Sequence, residues 1–231
     1  LVQVAGTGTS TVSSRGHNLA DTVEPLLNQA SDRTNVNPQL GILQNNGGNS
    51  RSYALLPGSA AIVAGIRAGS VIDQRGSAFV RPLELLIANA AGGDGSDIGA
   101  FEVPNTVLSI LRASANPTPP GSTVSFTVSF NASVLGADAS DFAVSTSGVS
   151  GAAITAVSGS GSSRTVSVNV GTGSGSVRLD LIDNDSVITG PGTTSLGQPL
   201  GGVGAGNGSF TTGEVYTVGA PPEIIFRNGF E

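Results

Sequence analysis

Val124-Ser125-Phe126-Thr127-Val128-Ser129-Phe130 alternates a hydrophobe with a hydroxyl at every step. Successive side chains of an extended strand point to opposite faces, so four hydrophobes fall on one side of this stretch and three hydroxyls on the other. Such a strand buries one face and wets the other. The same period returns at Val166, Val168 and Val170 and at Val177, Leu179 and Leu181, with shorter candidates at 106–111, 142–145, 154–157 and 214–218. About seven short strands separated by Gly and Ser turns fit an antiparallel β-sandwich of immunoglobulin-like type. Alternation alone carries this expectation, since there is neither Cys nor Trp to mark such a sandwich.

Upstream the pattern changes. Short apolar runs near Leu40, Ala54 and Ala61 are broken by Asn45-Asn46-Gly47-Gly48, Pro57-Gly58 and Gly65, which implies frequent corners and short strands. Pro25 interrupts 20–29 and leaves that stretch as loop rather than helix. The character shifts at Val103-Pro104, which divides the chain into 1–103, 104–219 and a tail, 220–231.

Composition narrows the chemistry. The 231 residues are 11% charged and 4% aromatic, with 34 Gly and 12 Pro. Ten basic residues, all Arg, face sixteen acidic ones for a net charge of −6, which argues against nucleic acid as a partner. The lack of Cys removes disulfides, thiolate nucleophiles and Cys-based metal sites. No apolar run approaches the roughly 18 residues of a membrane-spanning helix. A chain that begins at Leu1 and contains no Met reads as a processed piece of a longer protein. Low charge with abundant Ser, Thr and Gly suits a secreted or cell-surface bacterial protein.

Five motifs follow one another in the first half: Asn37-Pro38-Gln39-Leu40-Gly41, Asn45-Asn46-Gly47-Gly48, Ala54-Leu55-Leu56-Pro57-Gly58-Ser59, Asp73-Gln74-Arg75-Gly76 and Asp97-Ile98-Gly99-Ala100-Phe101-Glu102. Their order resembles the choice-of-anchor Q domain of bacterial surface and secreted proteins. That resemblance implies that 1–103 are the terminal coils and cap of a right-handed parallel β-helix. Where the family carries Pro and an acidic residue after Pro-Gly-Ser, this chain has Ala60 and Val63, so any role of that acid is lost. The second half is similar to a bacterial Ig-like module through Ala139-Ser140-Asp141-Phe142, Arg178-Leu179-Asp180-Leu181-Ile182-Asp183-Asn184-Asp185 and Gly213-Glu214-Val215-Tyr216. The closing Ile225-Phe226-Arg227-Asn228-Gly229-Phe230-Glu231 resembles a proteobacterial C-terminal export or sorting tail.

Within this frame Arg75, permanently charged, is expected to bind Asp97 or Glu102 and tie the cap together. Asp180, Asp183, Asn184 and Asp185 at one strand end, with Asp138 and Asp141 on another loop, form a candidate calcium site. Calcium takes about six to eight oxygens from carboxylates, amides and carbonyls. The same residues are also ordinary turn formers. His17, the single imidazole, sits in Ser14-Arg15-Gly16-His17-Asn18-Leu19 and is expected to be structural. No Gly-x-Ser-x-Gly elbow occurs, and the Gly-x-Gly runs at 171–175 and 201–208 lack the Lys that phosphate binding needs. The single Gly92-Gly93-Asp94-Gly95-Ser96-Asp97 is nearly a calcium-binding β-roll repeat but has no second copy to stack on.

The expectation is therefore an all-β, non-catalytic and monomeric segment of a larger extracellular or surface-bound β-helix protein, which contacts extracellular polysaccharide or a cell-surface protein. Two other readings stand beside it: the non-catalytic end of a polysaccharide-degrading β-helix enzyme, and a calcium-dependent carbohydrate-binding module.

Overall fold

The computed structural model describes residues 13–83, 85–190 and 197–219. The tail 220–231, with its resemblance to a sorting signal, lies outside the described residues. The chain is all-β, with no α-helix among the described residues, and splits into two compact units, Leu1–Val103 and Pro104–Glu231.

Among its described residues the first unit holds two strands, β1 (Leu40–Gln44) and β2 (Ser52–Leu55), paired antiparallel with Leu43 opposite Tyr53. The rest of its described residues are turns, bends and irregular loops. Leu19 and Arg33 form one parallel bridge, and Ile72 and Val80 one antiparallel bridge. The stacked parallel coils expected of a β-helix are therefore not seen among the described residues. The reason is local: His17, Asn35, Gln39, Val63 and Ala68 sit at positive φ, as do many glycines between them, and these corners interrupt the extended runs a parallel ladder needs. Ala61, Val63, Ala64, Phe79, Leu83 and Phe101 are buried hydrophobes of this unit. Residues 20–29 form a turn-rich loop.

The second unit adds β3 (Val107–Arg112), β4 (Thr123–Phe130), β5 (Val134–Leu135), a 3-10 turn (Ala139–Asp141), β6 (Phe142–Ser150), β7 (Ala153–Ser158), β8 (Ser163–Asn169), β9 (Thr172–Leu181), β10 (Ile188–Thr189) and β11 (Val215–Val218). A four-stranded sheet runs β3-β4-β8-β7 and a three-stranded sheet β11-β9-β6, every neighbour antiparallel; β5 and β10 form a short separate pair. The alternation dictates this burial. Val124, Phe126, Val128 and Phe130 from β4, Val166 and Val168 from β8, and Val177, Leu179 and Leu181 from β9 share one core. Two antiparallel sheets with their apolar faces in one core are consistent with a β-sandwich.

Tyr216 of β11 packs edge-on against Phe126 of β4, with ring centroids 5.0 Å apart. Its Oη donates to the Ser125 carbonyl at 2.8 Å and accepts from the amides of Ala113 at 3.0 Å and Ser114 at 2.7 Å. One side chain thus couples the two sheets through both its ring and its hydroxyl. At Gly175 in β9 a Cβ would lie 1.9 Å from the Ser147 carbonyl oxygen of β6, so this close strand approach requires glycine.

Candidate functional site

A network of buried charged side chains lies inside the first unit. Arg75 lies between two aromatic rings, its Cζ 3.9 Å from the centroids of both Phe79 and Phe101. Its Nε and Nη2 donate to Asp73 Oδ2 at 2.8 and 2.6 Å, and Nη2 also donates to the Glu102 carbonyl at 2.5 Å. Asp73 completes its shell by accepting from the Arg75 amide at 2.7 Å and the Glu102 amide at 2.8 Å. The backbone turn at Gly48 passes so close that a Cβ there would fall 2.2 Å from the Arg75 carbonyl oxygen.

The expected pairing of Arg75 with the side chain of Asp97 or Glu102 is thus corrected. Its carboxylate is Asp73, and it reaches Glu102 only through the main-chain oxygen. The signal was present in Asp73-Gln74-Arg75-Gly76, a tight turn closed by the Gly76 amide on the Asp73 carbonyl at 3.1 Å, in which the Asp73 side chain also accepts from the Arg75 amide.

Asp97 and Glu102 instead hold backbone. Asp97 Oδ1 accepts from the Val63 amide and Oδ2 from the Val103 amide, both at 2.7 Å. Glu102 Oε1 accepts from Leu83 N at 3.1 Å and Oε2 from Asp97 N at 3.0 Å. Arg81, which sequence reasoning missed, brings Nε to 3.4 Å from Glu102 Oε2 and donates through Nη2 to the Asp97 carbonyl at 2.6 Å. Burial pushes Asp97 up to about 6. Burial, reinforced by the charge of Asp97, pushes Glu102 up to about 8.

A cleft of about 620 Å³ opens in the same unit. Ala61, Ser52 and Phe101 form its buried floor, Leu19, Leu55 and Ile98 its half-buried walls, and Leu40, Leu43 and Tyr53 its exposed rim. Asp21, Arg51 and Gln74 supply its polar edge. Ile42, at 74% exposure, extends the apolar surface along β1.

The acidic residues of the second unit are brought close but not into a metal-ligating cluster. Ser186 Oγ donates to Asp141 Oδ1 and the Ile182 amide donates to the Asp141 carbonyl at 2.8 Å, so the loops carrying Asp141 and Asp183 do meet. Each carboxylate is already engaged. Asp180 binds Arg178 at 2.7 and 3.0 Å, and Asp183 accepts from the amides of Asp185 and Gly208. Asp185 accepts from Gly204 N, Asn184 from Ser186 N, Asp138 from Ser140 N, and Asp141 from Asp138 N. No group of three or more His, Cys, Asp or Glu among the described residues is placed to hold a metal ion. The arrangement is that of turn formers clamping the glycine-rich 201–208 loop.

His17 places Nδ1 2.8 Å from the Ala64 carbonyl. Asp94 accepts from the amides of Arg67 and Ser96, both at 3.1 Å, which makes the 92–97 motif a single closed turn. No helix is long and apolar enough to cross a membrane among the described residues. Comparison with protein families, curated proteins and solved structures finds no match to this chain.

Proposed function

We propose that this chain is a non-catalytic, extracellular or surface-bound segment of a larger bacterial β-helix protein. In this reading 1–103 belongs to the choice-of-anchor Q class and closes the end of the solenoid. Residues 104–219 are an Ig-like module that spaces or attaches it, with extracellular polysaccharide or a cell-surface protein as partner. The observation that carries the reading is the apolar cleft beside β1 and β2. A soluble unit rarely leaves a contiguous apolar patch uncovered. A two-stranded ribbon is also marginal unless further strands or layers pack on it. The occupant is a preceding β-helix coil: its inward aliphatic side chains match the Leu19 and Leu55 walls and the Leu40 and Leu43 rim, and β1 and β2, paired only with each other among the described residues, offer edges for main-chain pairing.

An environment-sensitive apolar dye tests this. The isolated chain binds the dye, Leu43→Glu lowers that binding several-fold, and the native full-length polypeptide binds little because its own coil fills the cleft. Equal binding by the native polypeptide and the isolated chain would overturn the docking.

A further inference from the structure

Three carboxylates and two guanidiniums are sealed together in the first unit: Asp73, Asp97 and Glu102 against Arg75 and Arg81. The side chains of Asp73, Arg75 and Glu102 are at most 2% exposed, and that of Arg81 is 11% exposed. Among the described residues, nearby charged and titratable side chains are engaged elsewhere, Arg67 with Asp94 at 3.7 Å and His17 with the Ala64 carbonyl. With all five groups ionised, one negative charge stays uncompensated away from water, an arrangement that proteins avoid by neutralising a group.

We propose that the cluster holds one proton on the Glu102 carboxyl group at neutral pH, so that the first unit is most stable in acidic surroundings and loses that stability progressively as the pH climbs through neutrality towards alkali. Geometry selects Glu102 among the three acids. Asp73 has the direct Arg75 fork and two amides; Asp97 has two amides at 2.7 Å. Glu102 has the longest contacts, 3.0 and 3.1 Å, and the Arg81 Nε at 3.4 Å is not aligned to hydrogen-bond it. Each Glu102 oxygen receives a single amide, so a lone pair stays open for the proton. The rise of Glu102 to about 8 through burial and the Asp97 charge agrees with this placement.

The sign follows from linkage. A carboxyl raised in the folded state binds a proton there that the unfolded chain has released, so its stabilisation is complete below the ordinary carboxylate range. That stabilisation is lost as pH rises through about 8. Calorimetric unfolding of the full chain at pH 7, in buffers of different ionisation heat, should release about one proton per molecule. At pH 10 this release should vanish. Glu102→Gln, neutral at every pH, should release none at pH 7 and should melt at pH 9 near its own pH 6 value, whereas the native chain falls by roughly 5 °C or more. Absence of proton release by the native chain at pH 7 would overturn the proposal even if the variant did not fold.

Discussion

Arg75 places two guanidinium nitrogens on one oxygen of Asp73, Nε at 2.8 Å and Nη2 at 2.6 Å, while Phe79 and Phe101 cover its Cζ at 3.9 Å. Both partners of this ion pair are fully enclosed, so the removal of one strands the charge of the other. Arg75→Ala should destabilise the first unit by about 3–5 kcal/mol. Arg75→Lys should recover only part of the loss, because an ammonium can neither fork onto Asp73 nor stack as a plane. Urea midpoints of the three proteins check this, and a lysine variant equal to the native chain would contradict it.

Asp97 bridges Val63 and Val103 by accepting an amide on each oxygen. Asparagine of the same shape turns one acceptor into a donor that faces another donor. Asp97→Asn should therefore cost about 1–3 kcal/mol at pH 8, where Asp97 is ionised. The cost should grow at pH 5, because a carboxyl raised to about 6 in the folded chain makes the native protein more stable as the pH falls through that value, whereas asparagine does not titrate. A difference in urea midpoint that does not vary with pH would count against this role.

The Tyr216 hydroxyl serves three main-chain groups at the end of β3 and in β4. Tyr216→Phe keeps the ring against Phe126 and leaves the amides of Ala113 and Ser114 without their acceptor, an expected loss of about 1–3 kcal/mol. Phe126→Ala, which opens a cavity at a fully buried position, should cost more, about 3–5 kcal/mol. Thermal melting of the pair orders them, and a costlier hydroxyl would reverse the account.

The candidate calcium site at 180–185 can be tested directly. Asp180, Asp183 and Asp185 are each committed to Arg178 or to backbone amides, so millimolar calcium should leave the melting temperature of the second unit unchanged. Asp183→Ala should lower it without any metal present, by releasing the 201–208 loop. A calcium-dependent rise would restore the metal reading.

What the sequence made legible follows the physics of each half. In the second unit, strict alternation at 124–130 can satisfy burial in one register only, and β4, β8 and β9 followed from it directly. Arg164 was not foreseen, for it occupies an inward position of β8 and satisfies its guanidinium on the carbonyls of Gly161, Ser163 and Val134. In the first unit no such period exists. Its turns are closed by carboxylates that accept amides distant in sequence, as when Asp97 binds Val63, and spacing alone cannot announce such partners. The choice of Asp97 and Glu102 as buried structural acids was within reach, but the Asp73 and Arg81 contacts required the folded chain. The acidic set at 180–185 showed the reverse problem, since one composition serves both metal binding and turn formation.

The central claim is that this chain works as part of a larger extracellular protein. An antibody raised against 104–219 can size the native polypeptide in surface, medium and periplasmic fractions. A species much larger than 231 residues at the surface or in the medium is the result expected. A single stable product of this chain's own size, present alone or inside the cell, would contradict the account.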